Sequence, residues 1–177
     1  MKILIIKSSP HKEGSSNLLA EQFARGAASA GHETDIFDAA HASIGVCLGC
    51  DACNTSGPCC QQDDMEKLKD EIRKCDLICF VTPLYYYSMS AQLKKVIDRF
   101  YSFNGELQSL KKKAVLISAS SDNKEHTFDG LKLQYQILCD YLKMQDMGAV
   151  YGGGCGNVEL TRRSPHMKEA FELGSRV

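Results

Sequence analysis

What the chain lacks narrows it first. No apolar run in the 177 residues approaches the length of a membrane span, which excludes an α-helical membrane protein. Neither sign of charge dominates: the formal net charge is -1 at pH 7, so there is no electrostatic footprint for nucleic acid or an anionic membrane surface. The N-terminus opens on a strand pattern with no signal-peptide character, and the expected location is the cytoplasm. No repeat, low-complexity segment or linker interrupts the sequence, so a single domain spanning residues 1–177 is expected. Two phosphate motifs are missing. There is no GxxxxGK[ST], and no GxGxxG follows the first strand pattern. No cysteine has arginine six positions later, as a low-molecular-weight phosphatase requires. Ser8 and Ser9 stand at the end of the first strand, where a response regulator carries acidic residues.

What is present is ordinary for a globular protein, with 44% hydrophobic and 24% charged residues. The exception is cysteine. There are nine, an odd number, which argues against a disulfide framework. Cys75, Cys79 and Cys139 lie in or beside apolar or helical patterns and read as small core residues. Cys47, Cys50, Cys53, Cys59 and Cys60 crowd one short stretch.

Continuous apolar runs at Ile3–Ile6, Leu77–Val81 and Ala114–Ile117 read as buried strands, with weaker ones at Thr34–Phe37 and Met147–Tyr151. Helical patterns fall between and after them: Asn17–Ala30, Asp64–Lys74, Ser90–Phe103, Thr127–Lys143 and Ser164–Leu173. This alternation predicts an α/β three-layer sandwich, a five-stranded parallel sheet of order 2-1-3-4-5 with helices on both faces. In such sheets ligands bind beyond the carboxyl ends of the strands, at the switch in strand order. Three loops become the site by that rule: Ser8–Asn17, Thr82–Ser90 and Ser118–Thr127. The one long irregular stretch, Ala39–Asp63, exceeds a routine connection.

The first loop reads SSPHKEGSSN. Hydroxyls and backbone N–H groups at a helix N-terminus suit a phosphate, and Gly14 lets the backbone come close to a ligand. An ordinary βα loop with a Ser or Asn N-cap has the same make-up. In the second loop Pro83 stops the strand, Tyr85, Tyr86 and Tyr87 stand at its carboxyl end, and Ser88 or Ser90 caps the next helix. Exposed aromatics can flank a flat ring, and at least one of the three is expected to pack on the sheet instead.

These stretches, with TPLYYYSMSAQLKKVIDR and the Asp63-Asp64-Met65 that follows the cysteines, resemble the flavodoxin-like NAD(P)H-dependent FMN reductases, in particular the branch that includes the iron–sulfur flavoproteins. The resemblance covers about two-thirds of the chain and weakens after Ser121. It implies that Ser9, His11, Ser15, Ser16 and Asn17 hold the FMN phosphate. It sets Pro83, Leu84, Tyr85 and Tyr86 along the isoalloxazine, Ser88 near its polar edge, and Ala119 and Ser120 as a third contact. His11 stands where that family commonly has arginine, which removes a fixed charge that Lys12 is placed to replace. The implied activity is hydride transfer from NAD(P)H through FMN to a small-molecule or protein acceptor, with no side chain required as general acid or base. The implied assembly is a homodimer or homotetramer.

Cys47-x-x-Cys50-x-x-Cys53-x5-Cys59 places four thiols on one loop. Such an array suits a 4Fe-4S cluster or a tetrahedral zinc, and equally a set of reduced thiols with no metal. A cluster there implies a second activity, an electron carrier in which the cluster exchanges electrons with FMN. Cys60 is a substitute ligand for Cys59. His11 in place of arginine is the one feature that favours a binding module without flavin.

Overall fold

The computed structural model describes residues 1–55 and 57–177. Its strands are β1 (Lys2–Lys7), β2 (Glu33–Asp38), β3 (Leu77–Tyr85), β4 (Ser88–Met89), β5 (Lys113–Ala119) and β6 (Gln145–Gly152). Its helices are α1 (Ser15–Ser29), α2 (Ala52–Thr55), α3 (Met65–Lys74), α4 (Ala91–Arg99), α5 (Asn104–Leu110), α6 (Asp129–Leu142), α7 (Val158–Arg163) and α8 (His166–Arg176). Among the described residues no helix is long and apolar enough to cross a membrane.

The parallel sheet runs β2-β1-β3-β5-β6, the doubly wound order expected from the sequence. Side chains along each strand alternate between two cores. Ile3 and Ile5 meet Phe23 and Ala27 of α1 and Leu173 of α8 on one face. Leu4 and Ile6 meet Leu68 and Ile72 of α3 and Leu93 and Val96 of α4 on the other. Both faces are covered, which is why these strands read as unbroken apolar runs. On the first face α1 and α8 cross at backbone contact: a Cβ on Gly26 would lie 2.0 Å from the Phe171 carbonyl oxygen, and one on Gly174 2.1 Å from that of Phe23.

Three departures from the sequence expectation stand out. The sheet has a sixth strand, β4, paired antiparallel to the end of β3 through Tyr85 and Ser88. The turn between them places Tyr86 at φ 47° and Tyr87 at φ 63°, so both central residues are left-handed, the type I′ pattern that matches strand twist. That turn is normally signalled by Asn-Gly, and Tyr-Tyr gives no such signal. Second, the helix expected over Ser90–Phe103 ends at Arg99, continues as a 3-10 turn over Phe100–Phe103 and restarts as α5. There Phe100 turns inward to pack on Phe80 (6.5 Å between centroids) and edge-on to Phe103 (5.6 Å). Third, α7 precedes the last helix, capped by the Asn157 side chain accepting from the Leu160 N–H (2.9 Å).

Candidate functional site

The loop after β1 meets α1 at Gly14, the N-cap, whose extended backbone (φ -68°, ψ 158°) supplies no side-chain bond. The Ser or Asn cap of an ordinary βα loop is therefore absent, and the helix opens two residues earlier than the apolar period suggests. In an α-helix the first turn of N–H groups has no intrahelical acceptor, so those of Ser15, Ser16 and Asn17 are left to a ligand or water. The same turn holds two buried oxygens without a hydrogen-bond partner, Ser16 Oγ and Asn17 Oδ1. Unpaired buried polar atoms are rare; the Ser16 hydroxyl at the positive end of a 15-residue helix can donate to an anion, whereas the Asn17 amide oxygen only accepts. Gly14 keeps the loop tight: a Cβ there would come 2.6 Å from Ser9 Oγ. Asn17 Nδ2 donates to the carbonyls of His11 and Lys12 (both 3.1 Å) and so braces the loop from behind.

An open cleft of about 310 Å³ runs from this turn across the carboxyl ends of β1, β3 and β5. Ser9, His11, Ser15, Ser16, Pro83, Leu84, Tyr85, Ala119 and Ser120 line it, together with Gly14, Ser121, Cys155 and Gly156. Three of the residues set at the site by the sequence are not in its lining. Asn17 serves as the brace just described. Tyr86 is 99% exposed at the hairpin tip and turns to a neighbouring groove with Tyr87, Asp122 and Thr127. Ser88 donates to Gln134 Oε1 of α6 (2.9 Å), tying the hairpin to that helix. None of the three tyrosines packs inside the sheet, since Tyr85 and Tyr87 are 43% and 61% exposed.

Beneath the cleft lies a hydroxyl network that the sequence reading did not assign. Ser8 Oγ donates to the Val81 carbonyl (2.7 Å), and Ser90 Oγ donates to Ser8 Oγ (3.0 Å). Thr82 Oγ1 accepts from the Ser90 N–H (2.9 Å), and Ser90 also caps α4 through the Leu93 N–H (3.3 Å). All three side chains are buried, so they fix the first and second loops against one another. In the third loop the Asp122 N–H donates to Ser120 Oγ (3.1 Å) and Thr127 Oγ1 donates to Asp122 Oδ2 (2.9 Å). Cys155 is buried at the cleft wall with its sulfur 3.6 Å from Ser164 Oγ. The only advance signal for it was the glycine-rich run that surrounds it, Gly152-Gly-Gly-Cys-Gly156.

The cysteine loop forms a separate feature. Cys47, Cys50, Cys53, Cys59 and Cys60 line one hollow with Arg99 and Tyr101. The hollow has room for about 20 Å³, little more than one water, and among the described residues no group of three or more His, Cys, Asp or Glu is gathered around a point where a metal would sit. Four thiols of the right chemistry are thus near one another without being gathered around one point. Instead Cys50 and Cys60 pair at 3.5 Å between sulfurs. The Ala52 backbone N–H and then the Cys60 thiol hold the Cys50 thiol below its ordinary range, while Cys60 is raised by the same pairing and by burial.

Asp63 anchors this loop to α4. Its carboxylate takes two bonds from Arg99 (2.7 and 3.2 Å) and one each from the N–H groups of Gly45 (2.9 Å) and Met65 (3.0 Å). Burial pushes the Asp63 pKa up, but those donors outweigh it and hold the group below the usual carboxylate range.

A doubly wound sheet whose switch point carries an open helix N-terminus and an aromatic hairpin belongs with the flavodoxin-like proteins. Comparison with known proteins is more specific. The family described as NADPH-dependent FMN reductase matches residues 1–155, and the chain belongs to that family of oxidoreductases. An iron–sulfur flavoprotein of Archaeoglobus fulgidus is 32% identical over 181 residues, covering 100% of this chain and 79% of the relative. An iron–sulfur flavoprotein of Methanocaldococcus jannaschii is 33% identical over 99 residues, 56% of this chain, and the match spans 51% of that relative's length. An NAD(P)H:quinone oxidoreductase from Methanothermobacter marburgensis has the same fold, with a TM-score of 0.79 at 17% identity over 99% of this chain and 94% of the other.

Proposed function

We propose that the chain binds FMN in the cleft and uses it to move electrons from a nicotinamide cofactor to an acceptor. The observation that carries this reading is the buried Ser16 hydroxyl, which has no hydrogen-bond partner in the protein, at the open N-terminus of α1 in a member of this family. The Ser16 hydroxyl and the first-turn N–H groups hold the phosphate. Ser9 and Ser15 border the same turn and add hydroxyl donors. Pro83, Leu84 and Tyr85 form the wall against which a flat ring lies, and Ala119 and Ser120 close the other side. FMN, when bound, would supply a hydride acceptor for NAD(P)H and, once reduced, the electrons that reduce free flavin, a quinone, a metal or a nitro compound. The protein's part is to orient the ring and leave one face open, and no side chain acts as general acid or base.

Purified protein mixed anaerobically with NADPH, and separately with NADH, tests this by the bleaching of the flavin bands. Bleaching at a rate that saturates with either nucleotide supports the reading. A flavin-loaded protein that neither nucleotide reduces removes the reductase and leaves a carrier.

A second reading is an electron carrier with a 4Fe-4S cluster on Cys47, Cys50, Cys53 and Cys59. The convergence of these thiols on one hollow favours it, as do the relatives named as iron–sulfur flavoproteins. The loop would have to open to admit a cluster. Iron and sulfide near about four each per chain support it, and their absence from anaerobically prepared protein counts against it.

Assembly as a homodimer or homotetramer accompanies the first reading. Tyr86 and Tyr87 at the hairpin tip and Leu133, Ile137 and Tyr141 along α6 are exposed large apolar side chains. Light scattering of the flavin-loaded protein tests it, and a monomer at micromolar concentration contradicts it.

A further inference from the structure

The cysteine-rich loop is closed at its neck by side chains. The Gly45 N–H donates to Asp63 Oδ2 (2.9 Å) and Gln61 Nε2 donates to the Val46 carbonyl (2.9 Å), so residues 47–60 leave and return at one point. The turn that presents Cys50 is held separately. Asp51, next to it, has a left-handed backbone (φ 59°) that a non-glycine residue adopts only when other bonds support it. Here Asn54 Nδ2 (2.9 Å) and the Tyr101 hydroxyl (3.0 Å) both donate to Asp51 Oδ1. Tyr101 belongs to the 3-10 turn after α4, so the presentation of Cys50 is referred to the body of the domain. Cys60 comes from the opposite limb of the loop and faces Cys50 at 3.5 Å. Both thiols are exposed to solvent. Cys60 is also the cysteine that the four-thiol pattern leaves over.

We propose that Cys50 and Cys60 are a reversible dithiol–disulfide pair that reacts with low-molecular-weight disulfides and locks the 47–60 loop shut. One thiolate of the pair attacks a sulfur of an external disulfide, forming a mixed disulfide and releasing one external thiol. The other thiolate attacks the protein sulfur of that mixed disulfide, forming the Cys50–Cys60 bond and releasing the second external thiol. Two protein thiols are oxidised and one external disulfide is reduced to two thiols, so electrons balance without a further oxidant. The sulfurs need to close from 3.5 Å to about 2.05 Å. That is within reach of side-chain rotation on an exposed loop. The consequence is exclusive use of Cys50: in the oxidised chain it is withdrawn from any four-thiol set with Cys47, Cys53 and Cys59. This inference does not depend on flavin binding.

The test is oxidised glutathione added to the full-length protein as purified anaerobically, followed by thiol counting and peptide mapping by mass spectrometry. The expected result is the loss of two accessible thiols, a peptide cross-link between Cys50 and Cys60, no retained glutathione, and reversal by dithiothreitol. Cys60→Ser is expected to stop at a glutathione adduct on Cys50, and Cys53→Ser to close as the unaltered chain does. An adduct that persists on the unaltered chain overturns the proposal. So does a cross-link between any other two cysteines. Unreactive thiols overturn it as well, including the case where Cys50 is blocked by bound iron.

Discussion

Ser16 is buried, its hydroxyl has no partner in the protein, and it sits at the first turn of α1. A hydrogen bond to a charged group is worth roughly 1.5–3 kcal/mol. Ser16→Ala is therefore expected to weaken FMN by about 10- to 150-fold while leaving riboflavin, which has no phosphate, nearly unchanged, as read by flavin fluorescence titration. Equal losses for both flavins would place Ser16 away from the phosphate. Tyr85 and Tyr86 are adjacent in sequence but differ in place. Tyr85 lines the cleft, whereas Tyr86 is 99% exposed on the hairpin tip. An aromatic contact contributes about 0.5–1.5 kcal/mol. Tyr85→Ala should lower FMN affinity by about 2- to 12-fold, and Tyr86→Ala should leave it within about twofold in the isolated subunit. A larger loss for Tyr86 would mean that the hairpin folds over the ring.

At the scale of elements, two features control the loops around the cleft. The β3–β4 hairpin turns on two tyrosines in the left-handed region, each disfavoured by roughly 1–2 kcal/mol relative to glycine. Tyr86→Asn combined with Tyr87→Gly supplies the residues that a type I′ turn favours and is expected to raise stability by about 1 kcal/mol in urea unfolding. A destabilised double variant would show that the tyrosine side chains hold the hairpin by contacts that outweigh the backbone strain. The second feature is the Asp63–Arg99 pair, with the Arg99 side chain 1% exposed and that of Asp63 13%. Asp63→Asn leaves a buried guanidinium without its counter-ion and should cost roughly 3–5 kcal/mol near neutral pH. The pH dependence has a definite sign. The folded pKa of Asp63 lies below the ordinary 3.8, so its stabilising contribution is complete above that value and fades as pH falls through the folded pKa. The stability gap between the unaltered chain and Asp63→Asn should therefore close below pH 3.8. A gap that stays constant down to full acid unfolding would remove Asp63 as the source. Both features explain what the sequence left illegible. Strand β4 is only two residues long, and its turn lacks Asn or Gly. The neck of the cysteine loop is closed by side-chain bonds between residues about twenty apart, such as Ser43 with Asp64, which no periodicity records.

At the scale of the whole molecule, the parallel sheet was the most legible part. Strands buried on both faces produce apolar runs, and Leu77–Val81 and Ala114–Ile117 lie within β3 and β5. Their order follows from the alternation with helices. The cleft was legible to the extent that its residues sit in loops after β1, β3 and β5, where such sheets bind ligands. The wall formed by Cys155 and Gly156 was legible only as a glycine-rich run, Gly152–Gly156, in the loop after the last strand, beyond the resemblance. The crossing of α1 and α8 was not legible, because it depends on Gly26 and Gly174 meeting carbonyls of the facing helix. Gly26→Ala should separate these helices and lower the melting temperature by several degrees, whereas an unchanged value would mean that the helices shift without cost. The central claim is that the sheet edge holds a flavin by its phosphate. Its most direct test is to titrate the flavin-free protein with FMN and with riboflavin under one set of conditions. The account predicts that FMN binds at least about tenfold more tightly, the worth of one charged hydrogen bond at the α1 turn. Equal affinity for the two flavins, or no binding of either, would contradict it.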